Sequence, residues 1–304
     1  MTNKIAILMA TYNGDKYLRE QLESIIRQTN NSFELFIQDD GSNDNTMAIL
    51  QEFDNLYTNI HLVKKKANIK GQLANFSSLY GYVTSLNKYE YIMFSDQDDI
   101  WFPYKIDDSI NKMKEFCNKP TLLYTNYIKY DQNTNQKVEA YPKHYVENFE
   151  SIFVQNWLMG CTMVLNKKMI ELIKEIPLNV DNHDYWIALV AALNNDIVYF
   201  EEPTMLHRLH NNNVTTRATK NNLLKKINKI FDVLFNKDYR STKIKMWQNV
   251  KNELMVRYSS RSIDDLANIL NINRFKAIKM AKTCHFRGMN SLSTISFYVM
   301  LFLR

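Results

Sequence analysis

The sequence predicts an α/β fold in which a Rossmann-like, mainly parallel sheet is flanked by helices and followed by a helical C-terminal extension. Three observations carry that expectation. Short apolar runs alternate with stretches of helical periodicity between residues 4 and 95, the pattern of strands whose connections cover both faces of a parallel sheet. Polar clusters stand directly after three of those runs, where an open α/β sheet gathers its ligands. Near residue 217 the charge changes sign: 20 Lys and Arg face 27 Asp and Glu before it, a net −7, whereas 18 face 5 after it, a net +13.

Taken in order, KIAILM (4–9) is a continuous apolar run suited to a strand buried on both faces. Leu18, Leu22, Ile25 and Ile26 recur at helical spacing over 15–28, and FELFIQ (33–38) follows as a second strand, so the chain begins with a βαβ unit. Asp44 or Asn45 can cap a helix carrying Met47, Leu50 and Phe53, and IHLV (60–63) supplies a third strand. A helix over 72–85 leads into the strand YIMFS (91–95). Beyond residue 120 the alternation loosens, with strands expected at 121–127, 161–165 and 196–200 and a helix at 183–194. From Asn221 the pattern is helical, rich in Lys and Asn, and ends in TISFYVMLFLR. That run is far shorter than the roughly 20 residues a spanning helix needs, so it is expected to lie at an interface or against a partner. The expected domains are therefore 1–216, an α/β body, and 217–304, a basic helical extension suited to a membrane surface or an oligomer contact such as a homodimer.

At 304 residues and 45% apolar composition, the chain can bury a large core, which excludes pervasive disorder. Cys117, Cys161 and Cys284 are dispersed and odd in number, which excludes a disulfide framework or a CxxC zinc site and fits a reducing cytosol. The first residues lack the basic flank and cleavage site of a signal peptide, so a cytoplasmic location is expected. No recognised nucleic-acid module accompanies the basic stretch, and no nucleic-acid partner is expected.

The polar clusters are Thr11-Tyr12-Asn13, Asp39-Asp40-Gly41-Ser42 and Ser95-Asp96-Gln97-Asp98-Asp99. Crowded carboxylates repel one another unless a cation or hydrogen-bond donors compensate them, and oxygen ligands in this density suit Mg²⁺ or Mn²⁺, which often complete their shells with substrate phosphates. At a neighbouring strand end, Asp39 and Asp40 are placed to accept hydrogen bonds from a ribose or a base.

The residues ATYNG (10–14), DDGSNDNT (39–46) and SDQDDIWFP (95–103) resemble the family 2 glycosyltransferases, which have the GT-A fold. SDQDDIW, with NWLMGCTMVLN (156–166), NHDYW (182–186) and HRLHNNNV (207–214), is similar to rhamnosyltransferases of bacterial surface polysaccharides. The resemblance spans about residues 4–215 and leaves the basic extension uncovered. It implies transfer of a sugar, L-rhamnose from dTDP-L-rhamnose or else a hexose from a UDP donor, onto an acceptor hydroxyl with inversion at the anomeric carbon. Thr11, Tyr12 and Asn13 would line the nucleotide site, Asp39 with Asp40 would contact the base, and Asp96 would face the ribose. Asp98 would bind Mn²⁺ or Mg²⁺ across the diphosphate, with Asp99 behind it, and Asp184 would be the catalytic base. Gly160 and Cys161 would let the backbone approach the donor sugar. Leu206-His207-Arg208 departs from the family's aromatic-Arg order ahead of its His, so His207, Arg208 and His210 stay alternatives for the phosphates, with His210 the preferred metal ligand and Arg208 the preferred phosphate contact. Trp101, Tyr185 and Trp186 stand beside these motifs as candidate stacking surfaces for a sugar ring. A lipid-linked glycan acceptor, met at the inner face of the plasma membrane by the basic extension, completes the expected setting. The competing readings are a nucleotidyltransferase or another phosphate-handling α/β enzyme.

Overall fold

The computed structural model describes residues 4–65, 70–141, 145, 147–210 and 231–304. The expected boundary between residues 216 and 217, and positions 211–214 of the last motif, lie outside the described residues. The chain opens as the sequence predicts, with β1 (Ile5–Thr11), α1 (Asp15–Ile26), β2 (Phe33–Asp39), α2 (Thr46–Leu56), β3 (Ile60–Leu62), α3 (Gln72–Ser85) and β4 (Tyr91–Ser95). Ile5 to Met9 are buried throughout, so the unbroken apolar run marks a strand with both faces covered. Leu18, Leu22 and Ile25 form the buried stripe of α1.

The second half holds β5 (Ile100–Trp101), α4 (Lys105–Lys114), β6 (Leu122–Asp131), β7 (Gln136–Glu139), α5 (Phe149–Val154), a 3-10 turn (Gly160–Thr162), β8 (Met163–Asn166), α6 (Lys167–Ile173), α7 (His183–Ala192) and β9 (Ile197–Leu209). One sheet runs β3-β2-β1-β4-β8-β6-β9-β5, with β7 added to β6. β1, β2, β3, β4, β6 and β9 point one way, and β5, β7 and β8 the other. The chain leaves β1 towards β2 on one side and returns through α3 to β4 on the other, which makes the carboxyl ends of β1 and β4 a switch point with a crevice outside it.

Among the described residues the chain continues through helices that include α8 (Lys237–Arg257), α9 (Arg261–Asn271), α10 (Arg274–Thr283) and α11 (Ser291–Leu303). Although the charge reversal suggests a detached tail, their apolar faces are continuous with the core of the body. Trp247 of α8 lies 5.9 Å from Phe153 of α5 and 5.0 Å from Phe297 of α11, ring centre to ring centre. Phe297 and Leu301 of the terminal apolar run are buried, while Ile295 and Phe302 face outward. Among the described residues, no helix is long and apolar enough to cross a membrane.

Candidate active site

The three polar clusters converge on the crevice. Thr11 and Asp39 are register partners at the ends of β1 and β2, and the Thr11 hydroxyl donates to Asp39 Oδ1 at 2.9 Å. Asp39 also accepts from the Ser42 hydroxyl and from the backbone N–H groups of Gly41 and Ser42. Four donors occupy the roughly four lone-pair sites of this carboxylate, so Asp39 latches the ends of β1 and β2 to the loop that follows. Asp40 pairs with Lys65 and accepts from the Gly71 N–H at 2.7 Å. Asn13 holds the left-handed turn at φ 46°, where its amide oxygen accepts from the Asn43 N–H and its own N–H donates to the Ser42 hydroxyl. Gln97 clamps Tyr12 by both its N–H and its carbonyl, leaving the Tyr12 ring 54% exposed over the crevice edge.

The acidic loop after β4 is pinned from beneath by buried polar residues of α1. Gln21 donates to the Ser95 hydroxyl at 2.8 Å, and the Trp101 N–H donates to Ser24 at 3.0 Å. β5 pairs antiparallel with β9, which carries the end of β9 alongside the carboxylates. His210 Nε2 lies 2.8 Å from Asp98 Oδ2, with the His210 ring against Tyr17. Both side chains keep some exposure, 14% and 15%, so an ion held by them would stay open to a diphosphate and to water, as Mg²⁺ and Mn²⁺ require.

A second set lies deeper and was not legible in the sequence as a unit. Ligand atoms of Asp96, Asp99, Cys161 and His207 all fall within 4.8 Å of one another. Asp99 is fully buried, its Oδ1 sits 2.8 Å from His207 Nδ1, and its Oδ2 finds no partner among the described residues. Burial, reinforced by the charges of Asp99 and Asp98, pushes the Asp96 carboxyl up to about 8. Burial alone would lower His207, but the charge and hydrogen bond of Asp99 outweigh it and raise the imidazole to about 9. Burial and neighbouring charge thus favour the protonated form of Asp96, and the contact with Asp99 favours the protonated form of His207. A cation arriving here would release the Asp96 proton and satisfy the orphaned Asp99 oxygen, so the residues fit a divalent ion.

Asp184 stands in the first turn of α7, after the cap Asn182. Burial raises its carboxyl to about 7, while the backbone N–H groups of Tyr185 and Gly160 partly restrain the shift. The role of Gly160 follows from its neighbour: a Cβ there would come within 2.4 Å of His183 Nε2. That imidazole is stacked on Phe76 at 4.0 Å and beside Phe94, and burial lowers it to about 3, so it is a neutral wedge under the base.

Several expected contacts are corrected by burial. Trp101 is 2% exposed, and the Lys105 ammonium covers one ring face at 4.9 Å. Trp186 is fully buried and donates to the Glu175 carbonyl, away from the crevice. A sugar needs an open ring face, and neither tryptophan has one. Arg208, 2% exposed, spends its Nε on the Asp98 carbonyl and an Nη on Glu20, so it braces the acidic loop instead of reaching out to phosphate. Cys161 is buried, and burial holds its thiol well above its ordinary range, which leaves it unreactive and part of the buried set. Tyr185 is buried with its hydroxyl donating to the Phe153 carbonyl, yet it borders the cavity described next.

That cavity, of about 420 Å³, opens beside Asp184. Its inner wall is body: Tyr127, Lys129, Trp157, Asp181 and His207. Its outer wall is the C-terminal helices, through Tyr239, Lys243 and Trp247 of α8 and Ser293, Ser296 and Phe297 of α11. Charge counting along the sequence assigns those helices a separate task, and no local motif marks them as lining the site.

Residues 6–171 match the family model described as glycosyl transferase family 2. The dTDP-rhamnosyl transferase RfbG of Shigella flexneri is 35% identical over 219 residues, covering 67% of this chain and 72% of that one. An Escherichia coli relative, the UDP-Glc:alpha-D-GlcNAc-diphosphoundecaprenol beta-1,3-glucosyltransferase WfgD, is 27% identical over 194 residues, covering 64% and 71%. Among solved structures, S. aureus TarS 1-349 in complex with UDP-GlcNAc superposes with a TM-score of 0.56 at 15% identity, covering 97% of this chain and 87% of that one. The sheet order is thus that of a GT-A fold, and the chain belongs to glycosyl transferase family 2.

Proposed function

We propose that this glycosyltransferase inverts the anomeric centre of L-rhamnose, taken from dTDP-L-rhamnose, as it attaches the sugar to a hydroxyl of a lipid-linked glycan. The observation that carries the reading is that Asp184, a raised carboxyl, lines one cavity with His207, which holds Asp99 of the acidic loop after β4. Tyr12 and the loops latched by Asp39 frame the nucleotide, and Asp98 with His210 would hold Mn²⁺ or Mg²⁺. Such an ion supplies positive charge to the departing diphosphate. As the acceptor oxygen forms its bond to the anomeric carbon, the bond from that carbon to the diphosphate oxygen breaks, with its electron pair leaving on the nucleotide. The acceptor proton passes to Asp184, whose value near neutrality suits a general base. Similarity to RfbG supports the donor.

A UDP-hexose donor is the second reading, favoured by the likeness to WfgD, whose named acceptor also motivates the lipid-linked glycan here. A donor screen tests both: purified protein with Mn²⁺ and each of several nucleotide sugars, scored for release of the nucleoside diphosphate. Fastest release from dTDP-L-rhamnose is expected; fastest release from UDP-glucose transfers the case to the second reading. Phosphate release from a generic ester, with no nucleotide sugar used, would sink both.

Membrane-surface binding belongs to the same proposal. Phe275 of α10 and Phe302 of α11 meet edge to face at 5.5 Å and stay exposed, with the Arg274 guanidinium 5.8 Å from the Phe302 ring and Lys276, Lys279 and Lys282 elsewhere on α10. Exposed aromatic rings on a cationic helix suit an anionic lipid surface. Phe275→Ser with Lys276→Gln should lower sedimentation with anionic liposomes; equal sedimentation would remove the membrane from the account. Truncation after Thr216 is a poor test, since it would strip Trp247 and Phe297 from the core.

A further inference from the structure

Around Asp184, the cavity's polar groups are unevenly committed. Asn156 donates to and accepts from Leu158, Asn182 accepts from the His183 N–H, and Gln155 accepts from the Met289 N–H. The oxygens of these three neutral amides are thus engaged by the protein's own backbone, and Asn156 gives its NH2 group to it as well. What remains is of another kind. Lys129 and His207 are register partners on β6 and β9, so their side chains share one sheet face, and Lys129 makes no ion pair among the described residues. His207 Nε2 is buried without a partner among the described residues, and Trp157 Nε1, a donor only, has the Tyr124 side chain as its neighbour. Lys243 reaches in from α8, where it pairs with Asp181 at 3.1 Å. Asp184 is the one other carboxylate in the lining.

Resting on the transferase reading, we infer that α8 and α11 form the acceptor wall of the active site and that the acceptor they admit carries an anionic group next to the reacting ring, held by Lys129 and Lys243. Two lysines in the lining beside Asp184, Lys129 without an ion pair among the described residues and Lys243 shared with the half-exposed Asp181, favour a ligand that brings a phosphate or carboxylate oxygen over a neutral one. The aromatic remainder of the lining, Tyr127, Tyr239 and Trp247, suits the sugar body. Asp181 then acts as a placeholder: its carboxylate occupies Lys243 until the acceptor's anion shares the ammonium.

Calorimetry on the full chain tests this. The donor side is first filled with Mn²⁺ and dTDP or UDP. Methyl α-glucoside, methyl α-glucuronide and glucose 1-phosphate are then titrated in turn. At least one anionic probe should bind about ten- to a hundredfold more tightly than the neutral one, the range of a charge-assisted hydrogen bond. Whichever probe leads tells a sugar carboxylate from a glycosyl phosphate. In Lys129→Gln/Lys243→Gln the gap should close to within about twofold, and Lys243→Gln alone, at a part-exposed site, should narrow it. Equal affinity for all three probes, or a gap that survives the double substitution, overturns the inference. Failure of both nucleotides to bind in the first step counts against the transferase reading instead.

Discussion

The two sides of the cleft are built on opposite plans. On the donor side, strand ends of one parallel sheet deliver Thr11, Asp39 and the 96–99 carboxylates, and short hydrogen bonds lock each to the next. The proposed acceptor side joins segments far apart in sequence, with β6, α5 and the loop after it, α7, β9, α8 and α11 meeting around a cavity lined by a mixture of aromatic, aliphatic and polar side chains. Side chains on the first side are fixed by polar partners and on the second by packing.

Removing the one carboxylate shared by both sides is the largest test. Asp184→Asn should cut transfer by about 10²–10⁴-fold, the usual worth of a positioned base. Nucleoside diphosphate binding should hold, because the donor edge does not use Asp184. The same substitution should stabilise the protein at pH 8. In the folded state this carboxyl titrates near 7 against an ordinary 3.8, so between those values the native state binds more protons than the unfolded one, and stability falls as pH rises. Asn carries no such penalty. A thermal midpoint at pH 8 that is unchanged or lower in the variant would show that Asp184 is not raised.

Next comes the wall itself. Trp247→Ala removes a 3% exposed ring between Phe153 and Phe297, and should cost about 3–5 kcal/mol of stability in denaturant titration. A loss confined to the C-terminal helices, with the body unfolding at its original midpoint, would instead restore the picture of a detached tail.

Most of the donor side was legible in the sequence because its signals are local: an apolar run, then carboxylates at the strand end. The latch at Asp39 was not legible, because Thr11 becomes its neighbour only through strand register. Trp101 and Trp186 looked like stacking surfaces for the same reason, since an aromatic beside a motif carries no mark of the Lys105 or Glu175 that covers or binds it. The acceptor wall left no local trace at all. Its residues pack through a core that composition hides under a net +13.

Acidity provides a milder test, reaching one side only. Below about pH 7 Asp184 holds its proton and cannot take another, so transfer should fall towards tenfold per unit as pH drops, with nucleotide affinity changing less. A flat profile between pH 5.5 and 8 would move the base elsewhere.

The smallest effect should come from the charges that first suggested two separate parts. An acidic body and a basic extension invite an electrostatic account of their docking, yet the ion pairs joining them are few and wet. Lys243 meets Asp181 with side chains 32% and 53% exposed, and Arg257 meets Glu175 at 23% and 66%. Pairs this exposed contribute about 0–1 kcal/mol and are screened by salt, whereas the Phe153–Trp247–Phe297 cluster is apolar and indifferent to it. Arg257→Ala should therefore lower stability by no more than about 1 kcal/mol, and raising NaCl to 1 M should not release the helices from protease protection. Salt-induced cleavage near residue 237 would mean that the opposite charges, and not the buried rings, hold the acceptor wall in place.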